Sequence, residues 1–96
     1  MFGWLRKRRI ALPDLDVVLY TRSPCPLCHD AANVLKAAQR HYDFQFAVVD
    51  IDTDPALVAR YGWLVPVVTV GGRERFRGHV NPPLLERLLR AHARGG

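Results

Sequence analysis

The sequence predicts a single α/β domain built on a four-stranded mixed sheet, with elements in the order β-α-β-α-β-β-α. Three observations predict it. The apolar run Val17-Val18-Leu19-Tyr20 leads into Cys25-Pro26-Leu27-Cys28 and then into a segment of helical periodicity. A second run, Phe44 to Ile51, follows that segment, so the chain opens with a βαβ unit, which implies a parallel strand pair and a right-handed crossover. Two further runs flank Gly71-Gly72, the signature of a tight hairpin.

Each element has its own justification. Leu15 to Thr21 is β-branched and aromatic, with no charge after Asp16, as in a buried strand. Pro26 suits the first turn of a helix, where a missing N–H costs nothing. From there Cys28, Ala31, Ala32, Leu35 and Ala38 recur at helical spacing, and the helix is expected to end near His41. In the second strand Phe44, Phe46 and Val48 share a face. Asp52-Thr53-Asp54-Pro55 starts a short helix that Gly62 closes. Pro66 to Val70 is the third strand, and Glu74 to Arg77 returns as the fourth. Asn81-Pro82 caps a last helix with the stripe Leu84, Leu85, Leu88 and Leu89; Glu86, Arg87, Arg90 and Arg94 are expected to face water.

The bulk properties bound the function. With 96 residues the chain is one domain, above the size at which disulfides or metals are usually needed for folding. Hydrophobic content of 49% and 24% charged residues fit a globular protein. The net charge of +5 is uneven: residues 1–14 hold four basic groups and one acid, whereas the remainder is nearly balanced. Residues 1–14 are therefore read as a basic N-terminal extension and residues 15–96 as the folded domain. The extension is expected to be a solvated terminus, with weak contact to an anionic surface or partner as the functional alternative; no nucleic-acid partner is assigned. The longest apolar stretch, Leu64 to Val70, falls far short of the ~20 residues of a membrane span. The basic run Arg6-Lys7-Arg8-Arg9 follows the apolar start instead of preceding it, the reverse of a secretory signal. A cytoplasmic location and a monomer are the expectations.

Cys25 and Cys28 are the chain's only two cysteines, and several readings of them are open. In dithiol–disulfide exchange, Cys25 sits just before the helix, where unpaired N–H groups and the dipole favour a thiolate. Cys28, one turn in, is expected to be more buried. Cys25 would then attack a substrate disulfide and Cys28 would resolve the mixed disulfide. Arg22 is a candidate fixed charge beside the thiolate. Cys25-Pro26-Leu27-Cys28-His29 also matches the c-type haem attachment motif, with His29 as one axial ligand and His41, His79, His92 or Met1 as candidates for the other. Cys25, Cys28 and His29 are three metal-ligand types, but a structural zinc site wants four and no second pair exists. Two cysteines that merely pack as small hydrophobes are the bland alternative.

The run Leu19-Tyr20-Thr21-Arg22-Ser23-Pro24-Cys25-Pro26-Leu27-Cys28, with Val48-Val49-Asp50-Ile51-Asp52 and Val65-Pro66 after it, resembles the glutaredoxin branch of the thioredoxin-fold oxidoreductases. The likeness covers residues 15–93. It is greatest for a glutaredoxin-like subgroup carrying Tyr61-Gly62-Trp63 a few residues before the proline. The resemblance implies a thioredoxin-like fold and thiol–disulfide oxidoreductase activity without an organic cofactor. It implies Cys25 and Cys28 as the catalytic pair, and Arg22, Pro26, Leu27, Val65, Pro66 and Gly78 as substrate-binding positions. It implies that Pro66 is a cis-proline, with the Val65 backbone pairing to substrate as an added strand. Trp63 is expected to pack over the short helix, with a rim contact to substrate as the alternative.

This chain departs from the family pattern in two places. Leu27 stands where many members have tyrosine. The late glycine-rich segment that helps to bind glutathione corresponds here to Arg77-Gly78-His79-Val80-Asn81, where one glycine survives and the acid is absent. Glutathione is therefore a candidate co-substrate that lacks one of its usual contacts. The implied partners are a disulfide-containing protein or small thiol, with glutathione or a reductase as candidate electron donors. Arg73, Arg75 and Arg77 are expected to alternate along one strand face. The rival class is a binding or adaptor module that keeps the fold with little turnover.

Overall fold

A computed structural model of the chain describes residues 9–95. Its elements are β1 (Ile10–Thr21), α1 (Pro26–Ala38), β2 (Tyr42–Asp50), a 3-10 turn (Ile51–Thr53), α2 (Pro55–Tyr61), β3 (Val67–Val70), β4 (Arg73–Arg77) and α3 (Pro82–Ala93). The four strands form one mixed sheet in the order β2-β1-β3-β4, with β1 parallel to β2, and β3 antiparallel to both β1 and β4. This is the predicted architecture. Local capping chemistry sets the helix starts. Prolines occupy the first turns, and Asp54 and Asn81 accept from the backbone N–H groups of Ala56 and Leu84.

The sheet buries both faces unequally. On one side Leu15, Val17, Leu19, Val68, Val70 and Phe76 pack with Ala31 and Leu35 of α1 and Leu85 and Leu89 of α3. On the other, a smaller cluster of Ile51, Tyr61 and Val67 gathers Tyr20, Leu57, Val58, Leu64 and Val65 around it. The Tyr20 and Tyr61 rings meet there, centroids 4.7 Å apart. Apolar burial on the larger face fixes the sheet; the smaller cluster fixes α2 and the loop that follows it beneath the C-terminal end of β1.

Several elements differ from the sequence expectation. β1 begins at Ile10, so residues 10–14 belong to the folded domain and the extension stops short of residue 14. The reason is core burial: Leu12 and Leu15 are both buried, and the register jumps between Leu12 and Asp16, so Pro13 lies in a bulge where it breaks no ladder bond. The remainder of the extension, residues 1–8, lies outside the described residues. Helix α1 ends at Ala38, three residues before the expected end. Val48 is 57% exposed despite sharing a face with Phe44, because β2 is an edge strand and Val48 opens onto a groove beside the first turns of α1. Glu86 does not simply face water: it accepts a hydrogen bond from the Tyr42 hydroxyl at 2.5 Å, joining α3 to β2. A register shift opposite Val68/Thr69 breaks the expected alternation of Arg73, Arg75 and Arg77, and Arg77 pairs with Glu74.

Candidate functional site

Cys25 and Cys28 are joined by a disulfide at the start of α1, with Cα atoms 5.2 Å apart. Cys25 is the N-cap of the helix. Its backbone is extended (φ −151°), and its Sγ accepts the Cys28 backbone N–H at 3.2 Å. Pro26 supplies the first helical residue. The sulfur at the cap therefore lies at the positive end of the helix dipole, where negative charge is stabilised. Cys25 is half-buried and Cys28 is 7% exposed, the asymmetry expected of an outer attacking sulfur and an inner resolving one. The only thiols in the chain are thus already within bonding reach of one another.

Two surfaces flank the pair. On one side a groove is lined by Arg22, Cys25, Cys28, His29, Val48 and Asp50. On the other, Leu27, Asp30, Gly78 and His79 line a small recess. The Gly78 N–H donates to the Pro66 carbonyl at 2.7 Å, so this bond ties the recess to the proline loop. The Gly78 φ of +76° is open to glycine and strained for other residues, a physical reason for the one glycine kept in that segment. The Val65–Pro66 bond is cis, as the resemblance implied; Ser23–Pro24 is also cis, which nothing in the sequence signalled. Pro66 is buried, and Val65, half-buried, precedes β3 and pairs with no strand.

Arg22 departs most from its expected part. Its Nε and Nη2 donate to the two carboxylate oxygens of Asp52 at 3.2 and 2.6 Å, and its Nη1 donates to the Gly62 carbonyl at 3.0 Å. The guanidinium holds the Asp52 carboxyl below its ordinary range chiefly through those hydrogen bonds. Arg22 thus lines the groove as half of an ion pair, not as a free cation beside the sulfur. Trp63, expected to pack over α2, is 97% exposed, because Tyr61 already fills the space beneath and is itself covered by Tyr20 and Arg60.

Two positions near the site were missed from sequence. Val48 read only as a member of the face that carries Phe44 and Phe46, since strand alternation cannot tell an edge strand from a central one. Asp52 read only as part of a helix start, since its partner Arg22 lies thirty residues away. Among the described residues no three His, Cys, Asp or Glu side chains group so as to hold a metal ion.

The glutaredoxin-like domain (DUF836) matches residues 16–90. The chain belongs to this glutaredoxin-like family. A structural-genomics target protein from X. campestris (XcR50) is 37% identical, over 78% of this chain and 96% of that one, with a TM-score of 0.65. Protein Ne2328 from Nitrosomonas europaea is 24% identical, over 81% and 94% of the two chains, at a TM-score of 0.70. A mutant thioredoxin from Halobacterium salinarum is 21% identical, over 84% and 76%, at 0.66. The last two show that this glutaredoxin-like chain has the thioredoxin-like fold. That fold and the bonded Cys25–Cys28 pair support a redox thiol–disulfide function. No helix among the described residues is long and apolar enough to cross a membrane.

Proposed function

We propose that this glutaredoxin-like protein is a thiol–disulfide oxidoreductase with Cys25 as nucleophile and Cys28 as resolving thiol. The observation that carries the reading is the placement of Cys25 Sγ as the cap of α1, with Cys28 bonded to it and one turn deeper. In the reduced protein the Cys25 thiolate attacks one sulfur of a substrate disulfide. That S–S bond breaks, the departing thiolate takes a proton, and a mixed disulfide remains on Cys25. Cys28 then loses its proton and attacks Cys25 Sγ, releasing the second substrate sulfur as a thiol. Two electrons have passed to the substrate and the Cys25–Cys28 disulfide has formed. A second dithiol or thiol must reduce it to close the cycle. Val65 supports a role in substrate pairing because its backbone lies beyond every strand ladder next to the cis proline.

Glutathione fits this site as electron donor less well than a dithiol. The acid that would hold its amine is replaced by Val80, which is 2% exposed, or by Asn81, whose Oδ1 accepts from the Leu84 N–H at 3.0 Å to cap α3. Neither side chain is free to take up that charge.

The test is a trap. In Cys28→Ser the mixed disulfide on Cys25 has no resolving thiol, so partners stay attached and are released by reductant. Cys25→Ser should capture nothing and reduce no disulfide. Thiol alkylation of the reduced protein should follow a Cys25 ionisation below the ordinary ~8.5. An ordinary value together with undiminished disulfide reduction in Cys25→Ser sinks the reading and leaves an adaptor module.

A further inference from the structure

We infer that the dithiol acts on polypeptide disulfides held by apolar contacts, with Trp63 as the anchor, and not on small anionic thiols. The inference rests on the thiol–disulfide reading above and names its substrate class. Five large hydrophobic residues are exposed among the described residues: Ile10, Leu27, Val48, Trp63 and Leu84. Two of the five, Leu27 and Val48, flank the redox pair, and a third, Trp63, is tied to its groove through the chain. Leu27, 53% exposed, lies between the cysteines, and Val48, 57% exposed, lines the groove with both sulfurs. Trp63 is joined to the same groove through its neighbour Gly62, whose carbonyl Arg22 holds. It stands two residues before Val65 and the cis proline.

A tryptophan exposed over 97% of its surface is a large apolar area left in water, and tryptophan is the residue type most over-represented among binding anchors. Nothing in the smaller core requires it there, since Tyr61 fills that space. Held by the Arg22–Gly62 bond, its backbone is already ordered, so a partner would dock on a preset loop.

Charge points to the same class of partner. Small anionic thiols need cations, yet Arg22 is paired with Asp52 and Arg77 with Glu74. His29 is the basic side chain left on the groove wall, and Asp50 lines the same groove. Carboxylates therefore balance or outnumber the available positive charge. The site suits an extended segment with an apolar side chain next to its half-cystine and no carboxylate beside it.

The test compares kcat/KM for three disulfides: neutral hydroxyethyl disulfide, a peptide disulfide with leucine and lysine beside the half-cystine, and one with glutamates there. The wild-type protein should prefer the leucine–lysine peptide over the glutamate peptide. In Trp63→Ala the ratio of leucine–lysine peptide to hydroxyethyl disulfide should fall about tenfold through KM, and Trp63→Phe should restore most of it. In a Trp4→Phe background, Trp63 emission should shift to the blue when Cys28→Ser traps the leucine–lysine peptide. An unchanged ratio in Trp63→Ala, no peptide preference or an unmoved emission overturns the docking surface while leaving the redox chemistry standing. Failure of the wild-type protein on all three disulfides overturns both, and so separates the two claims.

Discussion

Arg22 Nη1 donates to the carbonyl oxygen of Gly62 at 3.0 Å, across forty residues of sequence. The same guanidinium grips both oxygens of Asp52, so one side chain fastens the end of β1 to the 3-10 turn and to the close of α2. What it positions is the segment running through Trp63 to Val65 and Pro66. A pH dependence follows. Asp52 ionises more readily in the folded protein than in the unfolded chain, because Arg22 hydrogen-bonds its charged form. Such a group stabilises the fold fully above its unfolded value of ~3.9, and that contribution is lost as pH falls through the lower folded value. Asp52→Asn should therefore flatten the acid limb of a stability-against-pH curve below about pH 4 and leave its shape near neutrality unchanged. Urea unfolding at a series of pH values checks it; an acid limb identical to wild type would mean the pair does not persist in solution.

Gly62 is the complementary prediction. A Cβ there would lie 2.7 Å from the Val58 carbonyl oxygen and 3.5 Å from Arg22 Nη1. The first contact is with backbone and is shorter than real Cβ contacts allow. Gly62→Ala should cost about 1–3 kcal/mol through forced displacement of the α2 end. The residue's φ of −40° is negative, so the cost is steric and does not come from a left-handed backbone. A lowered urea midpoint with an unchanged slope is the expected result.

Tyr42 ties the far end of the sheet to α3 through its bond to Glu86, which also receives Arg90 at 3.3 Å. Tyr42→Phe should lose about 1 kcal/mol, the net worth of one intramolecular hydrogen bond. The bond needs the neutral phenol, and with burial and the nearby carboxylate charge it raises the Tyr42 pKa above its ordinary value. Stability from this pair is therefore complete below ~10 and is lost as pH rises through the higher folded value. Wild type should thus hold more of its stability than Tyr42→Phe up to about pH 10, and the gap should close above it. Denaturant unfolding of both proteins across that range is the measurement.

What the sequence made legible was local chemistry. Pro26 and Asn81-Pro82 announced helix starts, Gly71-Gly72 the hairpin, and the run before Cys25 the strand that aims the dithiol. Those signals lie within a few residues of the structure they cause. What stayed hidden depends on neighbours distant in the chain. Arg22 could not be matched to Asp52 and Gly62, Val48 could not be known to sit on an edge, and Trp63 was displaced by Tyr61. From sequence, residues 10–14 count with the extension because that boundary follows the charge distribution, which does not report burial. Burial of Leu12 and Leu15 against the core overrides it. The dithiol was readable for the same reason that its surroundings were not: two cysteines three positions apart make their own site, whereas a docking surface is assembled from separate loops.

The two sulfurs should differ most in reactivity towards alkylation. After reduction, Cys25 keeps its place at the helix cap with part of its surface in water, whereas Cys28 faces the core with 7% of its surface exposed. Thiolate character and access both favour Cys25. At pH near 7, Cys28→Ser should react with iodoacetamide at least about tenfold faster than Cys25→Ser, and the wild-type dithiol should be modified first at Cys25. Digestion and mass analysis locate the label. Acid should slow Cys28→Ser only once the Cys25 thiolate is protonated, giving a single titration step well below that of an unperturbed thiol. Equal rates in the two variants would place both sulfurs in equivalent surroundings in the reduced protein, and the separate roles of attacker and resolver would have no structural basis.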